Sequence, residues 1–218
     1  MMKVIFITIL LSVQIFAISI SDFINKNNCD QVIDKQVFQI CYSYKNKGAL
    51  YVGYKLDGIL VDKANIKKRP RFYSEKNLPM KYRSKSNDYK KSGYDRGHLA
   101  PDAAFDYDKK VLSKTYTMAN VIPQAPKVNR YTWIKAERYA RSMAYKLGSV
   151  TVINGVVYEE NPKRIGKNQI AVPSGYWKMI ANDEHNFQKC FYYENNNDII
   201  TKQDKLKQHQ VECSTLMK

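Results

Sequence analysis

What the chain lacks narrows its chemistry. It has no G-x-S-x-G to raise a serine nucleophile on a strand-to-helix turn. It has no G-x-x-x-x-G-K-[ST] loop to cradle a nucleotide and no H-E-x-x-H to hold zinc. None of its four cysteines, Cys29, Cys41, Cys190 and Cys213, stands in a C-x-x-C pair, which argues against a zinc ribbon or a thioredoxin-like redox site. No Pro-, Gly- or Ser-rich linker and no internal repeat divides the sequence. Histidine is scarce, with only His98, His185 and His209 among 218 residues. Acid is scarce too: 20 Asp plus Glu oppose 36 Lys plus Arg, a formal charge of +16. That balance points to a polyanionic partner, whether nucleic acid, an anionic membrane surface or an acidic polysaccharide.

The first residues speak to compartment. Lys3 is followed by an apolar run from Val4 to Ile18, with small residues at Ala17 and Ser19. The run is shorter than a spanning helix needs and carries Thr8, Ser12 and Gln14. It reads as an export signal over residues 1–19 cut after Ser19, with an uncleaved anchor as the alternative. Residues 20–218 then form a single exported domain, periplasmic or secreted, without stable membrane insertion. An even number of cysteines in an exported chain favours two disulfides. The shorter loops favour Cys29–Cys41 and Cys190–Cys213.

Residues 36–45 and Gly48–Asp57 read as a strand pair turning near Asn46, Lys47 and Gly48. From Lys63 to Lys91 the chain is polar, basic and without a period, so it reads mostly as loop, and long ordered loops are often functional. Asn129–Gly148 predicts a helix, with Trp133, Ala136, Ala140, Met143, Ala144 and Leu147 at helical spacing and Gly148 as its stop. β-Branched runs at 149–158 and 169–182 and the stretch from Cys190 predict further strands. The order implies an α+β fold around a largely antiparallel sheet.

Several polar residues ask for a role. In "YDRGHLAP" (94–101), Asp95, Arg96, Gly97 and His98 stand side by side. Phosphodiester hydrolysis needs an activated water and charge stabilisation on the phosphate. Histidine suits the first and arginine the second. A polar turn with an Asp95–Arg96 ion pair is the bland alternative. On the helix, Glu137 and Arg141 share a face, and Asn129 lies eight residues before Glu137. One amide oxygen plus waters, with a glutamate accepting from those waters, would suffice for Mg²⁺ when the substrate brings phosphate oxygens. Taken singly, Asn129 is equally an N-cap and Glu137–Arg141 a surface pair.

"DRGHLAPDA" (95–103), followed by "MANVIPQAPKVNRYTWIKAE" (118–137), resembles the DNA/RNA non-specific endonuclease family, the ββα-metal nucleases of secreted bacterial type. "QIAVPSGYWKMI" (169–180) is similar to a later strand of that family, and the resemblance spans roughly Tyr51 to Ile180. It implies His98 as general base, Arg96 and Arg141 on the phosphate, and Asn129 as direct ligand of Mg²⁺, with Mn²⁺ as an alternative. Glu137 would reach the metal through water, and Asn120 would support the site by hydrogen bonding. DNA and RNA would be the substrates, bound without regard to sequence, while the oligomeric state stays open. The family also has an upstream basic residue, for which Arg71 or Arg83 could serve. Asp183, Glu184 and His185 read as a solvated turn, and His209 as a surface residue. Activity should fall as acid protonates His98, and a rate flat from neutral to mildly acidic pH would count against it. The competing readings are a catalytically idle nucleic-acid binder and an enzyme acting on another acidic substrate.

Overall fold

The computed structural model describes residues 18–61 and 63–216. The expected export signal therefore lies, apart from Ile18 and Ser19, outside the described residues. The strands are β1 (Gln31–Asp34), β2 (Gln39–Ser43), β3 (Gly48–Asp57), β4 (Asp95–His98), β5 (Val121–Gln124), β6 (Ser149–Val157), β7 (Arg164–Ile165), β8 (Ile170–Ala171), β9 (Gly175–Asn182), β10 (Phe187–Glu194) and β11 (Gln210–Val211). The α-helices are α1 (Ile20–Phe23), α2 (Gly58–Val61), α3 (Lys109–Thr115) and α4 (Ile134–Leu147).

Seven strands form one antiparallel sheet in the order β1-β2-β3-β6-β9-β10-β11. The expected α+β fold with a largely antiparallel sheet is what the chain adopts. Strand β9 is buried at every position because both faces of the sheet are covered. Tyr176 and Ile180 turn to the face beneath α4, while Trp177 and Met179 turn to the other. That second face is closed by terminal segments: Ile20 and Phe23 from one end, Val211 and Leu216 from the other. The two disulfides, Cys29–Cys41 and Cys190–Cys213, tie these segments to β2 and β10.

Three sequence expectations need correction. The run 169–182 is not one strand. It breaks at Pro173, which has no N–H for a ladder, so β8 pairs with β7 in a small ribbon and β9 joins the main sheet. The helix begins differently from a regular α-helix: Val128–Trp133 winds as a π turn before α4. His209 is not a surface residue. Its ring stacks on Tyr193 with centroids 4.1 Å apart, and Nε2 lies 2.5 Å from Asp204 Oδ1. Short sequence periods also concealed β1, α3 and β11.

The segment that matters for chemistry stands beside the main sheet. Strands β4 and β5 pair antiparallel, with His98 opposite Val121 and Asp95 opposite Gln124. The π turn and α4 follow β5 directly. This is the ββα arrangement. Helix α4 buries Ala136, Ala140 and Ala144, and these small side chains let it approach α2 closely. A Cβ on Gly58 would stand 2.4 Å from Ala144 O. Gly148 ends the helix at φ +79°, a conformation costly for any residue with a side chain.

Candidate active site

Strand β4 sets the site because its residues alternate across the ribbon. Arg96 and His98 face one side, Asp95 and Gly97 the other. Gly97 has no room for a side chain: a Cβ there would lie 2.0 Å from Gln124 Oε1. The absence of a methyl group thus lets β5 fold its glutamine across β4.

His98 packs against two aromatic rings, Phe72 at 5.2 Å and Tyr116 at 4.9 Å between centroids, which also touch each other at 4.8 Å. Its Nε2 is buried without a hydrogen-bond partner, which leaves Nδ1 as the nitrogen available to a water. Burial pushes the imidazole down to about 4, opposed by Asp102 and reinforced by Arg69 and Arg96. The ring is therefore neutral at physiological pH, the form a proton acceptor needs. Tyr116 donates to Asp102 Oδ2 at 2.7 Å, and Arg69 Nε lies 3.3 Å from the same oxygen.

Asp95 does not pair with Arg96. It accepts from Arg130 Nε and Nη2, both at 2.7 Å, and from Asn129 Nδ2 at 3.0 Å. These bonds hold its carboxyl below the usual range against the opposing effect of burial. They also use the amide nitrogen of Asn129, so its carbonyl oxygen is the atom left for a cation. Asn129 lies inside the π turn and does not cap a helix. Eight residues of regular α-helix would set Asn129 and Glu137 roughly 80° apart, whereas a π turn of about 4.4 residues brings them within roughly 10°. The wide turn puts amide and carboxylate on one line.

Burial raises the Glu137 carboxyl, with the Lys178 and Arg141 charges working against it and Asp102 adding to it. Asp102 thus bears electrostatically on both His98 and Glu137. Lys178 is fully buried under α4. It donates to Asn154 Oδ1 and, at 3.4 Å, to the Tyr54 hydroxyl, and lies 4.4 Å over the Trp133 ring. Arg141 Nη1 is buried with no partner, so a charged donor waits beside Glu137 without forming the surface ion pair its spacing allows.

Asn120 is fully buried. It donates to Ala100 O and Thr115 O and accepts from Ala100 N, all at 2.9 Å, clamping the chain as it leaves His98. Arg96 is exposed. Its Nη1 donates to Ser86 Oγ at 2.5 Å, and its guanidinium sits 4.9 Å over Phe72. A cavity of about 330 Å³ opens beside it, bounded by Ser86, Asn87, Lys90 and Tyr94.

The upstream arginines differ in their surroundings. Arg83 donates to Leu78 O and Lys76 O, both at 2.6 Å, and so ties its own loop, while Arg71 is exposed. Arg69 is the one drawn to Asp102 and Asp106. Sequence reasoning missed Arg69, Phe72, Tyr116, Asp102 and Lys178. Lys178 and Asp102 had a signal, each lying inside a stretch that carried the resemblance, 169–180 and 95–103. His185 bonds Asn182 in a β9–β10 turn. Among the described residues, no three His, Cys, Asp or Glu side chains are placed to hold a metal ion, and no helix is long and apolar enough to cross a membrane.

A family model described as DNA/RNA non-specific endonuclease matches residues 20–218. Human mitochondrial endonuclease G is 29% identical over 160 residues, covering 69% of this chain and 54% of that protein. The mitochondrial nuclease 1 of Schizosaccharomyces pombe is 32% identical over 145 residues, 58% of this chain and 44% of its own. A nuclease of Nostoc is 29% identical over 148 residues, with 67% and 53% covered. The chain thus spans about half the length of these relatives. A chain in a crystal structure of an EndoG/EndoGI complex superposes with a TM-score of 0.77 at 24% identity, covering 85% of this chain and 81% of that one, and so shares its fold.

Proposed function

Since this chain belongs to the DNA/RNA non-specific endonuclease family, we propose that it is an exported, Mg²⁺-dependent endonuclease that hydrolyses phosphodiester bonds of DNA and RNA. The observation that carries this reading is His98 held against two rings, with Asp102 bearing electrostatically on it and on Glu137, and an unpartnered Arg141 Nη1 one turn after Glu137 on α4. A binding protein needs none of the three.

The donor set fits a hard cation. Asn129 presents a carbonyl oxygen, its nitrogen being held by Asp95, and Glu137 would act through water. When bound, Mg²⁺ (or Mn²⁺) supplies positive charge against the phosphate oxygens. His98 Nδ1 takes a proton from a water as that water's oxygen bonds to phosphorus. The bond from phosphorus to the leaving sugar oxygen breaks, that oxygen takes a proton from a water, and His98 returns its own proton to solvent. Arg96 and Arg141 oppose the charge that builds on the phosphate, while Asn120 keeps the backbone after His98 in place. Contacts of this kind go to phosphate and not to base edges, so sequence discrimination is expected to be poor.

Export is supported by the leader-like residues 1–19 and by the two disulfides. The mitochondrial names belong to the relatives that carry them. The test is plasmid and RNA cleavage by the purified protein with Mg²⁺, with a chelator, and with folded His98→Ala and Asn129→Ala variants. Cleavage abolished by the chelator and reduced at least about 100-fold by each variant is expected. Folded protein that binds nucleic acid but never cuts it would hand the chain to the binding-protein reading.

A further inference from the structure

The segment 66–73 belongs to the long polar stretch in which the sequence shows no period, yet it is fixed at both ends. Ile66 N donates to Asp106 O at 3.1 Å, and Arg69 is paired with Asp102 and Asp106. At the other end Tyr73 N donates to Tyr116 O at 3.1 Å, and Met118 N donates to Tyr73 O at 2.8 Å. Between these anchors stands Phe72. One side of it packs on the cluster of Tyr89, Met118, Val121 and Ile165. The rest of its ring touches three groups: His98 at 5.2 Å, Tyr116 at 4.8 Å, and the Arg96 guanidinium at 4.9 Å over its face.

From this geometry we infer that Phe72 is a positioning residue for the reaction, one ring that sets both the imidazole of His98 and the guanidinium of Arg96. The inference rests on the nuclease reading. A cation over an aromatic face and an aromatic pair at these distances are each attractive. Here a single side chain makes both contacts, so base and phosphate-binding arginine are registered to one rigid object and not to each other. Tyr116 touches both rings and completes a triangle of aromatic contacts around the imidazole edge. The charged groups facing the ring are Asp102, Arg69 and Arg96, and Tyr116 is the remaining titratable one.

Steady-state cleavage of a defined oligonucleotide by Phe72→Leu and Phe72→Tyr tests this, alongside NMR titration of the histidines in metal-free protein. Three histidines make the His98 signal assignable by difference with His98→Ala. Phe72→Leu is expected to lower kcat about 10- to 100-fold with KM changed less than about threefold. Its imidazole, opened to water, should titrate nearer the ordinary 6.5, and the acid limb of the rate should rise with it. Phe72→Tyr keeps the ring and should resemble wild type in both. Phe72→Met replaces a leucine variant that does not fold. The inference is overturned if Phe72→Leu keeps wild-type kcat and titration, if it raises KM alone, or if Phe72→Tyr falls as far as Phe72→Leu. If the wild type itself cuts nothing, the nuclease reading fails, while the metal-free titration still decides whether Phe72 holds the ring.

Discussion

At the scale of the residue, burial sets the protonation state of His98 more than any neighbouring charge does. From its residue type alone, His98 should gain its proton near 6.5, and a rate flat into mild acid would argue against it as base. The structure moves that boundary down to about 4, so the neutral ring persists through mildly acidic pH and a flat rate there agrees with the base. NMR titration of metal-free protein should show one histidine titrating near 4, a signal lost in His98→Ala. The linkage follows in sign. Between 6.5 and about 4 the unfolded chain binds a proton here that the folded chain does not, so stability falls as pH drops through that window and levels off below it. Urea unfolding at pH 7 and pH 4.5 should show a smaller loss in His98→Ala than in wild type. Asp95 shows the same dependence on surroundings: its partner is Arg130, 35 residues away in sequence, and not the adjacent Arg96.

At the scale of the element, the site depends on two departures from regular structure. One is the π turn, which brings Asn129 and Glu137 onto one line. A helical period locates α4 from the sequence because Ala136, Ala140 and Ala144 mark its buried face, but no period announces the wider turn in front of it. The other is the β4–β5 ribbon, only four residues on each side, which closes because Gly97 yields its space to Gln124. Gly97→Ala puts a methyl against a fully buried side chain and should cost about 1–3 kcal/mol. Thermal melting should show a fall of roughly 3–10 °C, with cleavage activity falling further than stability because His98 is the next residue.

At the scale of the whole molecule, the disulfides and the charge act at a distance from the chemistry. Each bridge closes a short loop, 12 and 23 residues in sequence separation, and each fastens a terminal segment over the second face of the sheet. Chain-entropy arguments give about 3 kcal/mol for loops of this size. Replacing Cys190 and Cys213 by serine should lower Tm by roughly 6–12 °C while leaving activity at 25 °C within about threefold, since neither cysteine belongs to the ββα segment. The net charge of +16 predicts binding through phosphate and counterion release. Affinity of the chelator-treated protein for double-stranded DNA should fall linearly on a log–log plot against NaCl, and a flat plot would mean that the surplus charge does not face the substrate.

The sequence by itself pointed to the fold class, the central helix, the β2–β3 hairpin, the favoured cysteine pairing and, through its resemblance to a family, His98, Arg96, Asn120, Asn129, Glu137 and Arg141 as candidates. These are legible because each leaves a local signature: a period, a stop, a loop length or a short motif. Only the tertiary structure decided what surrounds them. Arg69, Phe72 and Tyr116 reach His98 from segments with no period of their own, and Lys178 lies beneath α4 from a strand 41 residues beyond Glu137 in sequence. The physical reason is range. Backbone preference and side-chain spacing act over a few residues, whereas desolvation, ring packing and ion pairing act over a few ångströms between residues that only folding brings together.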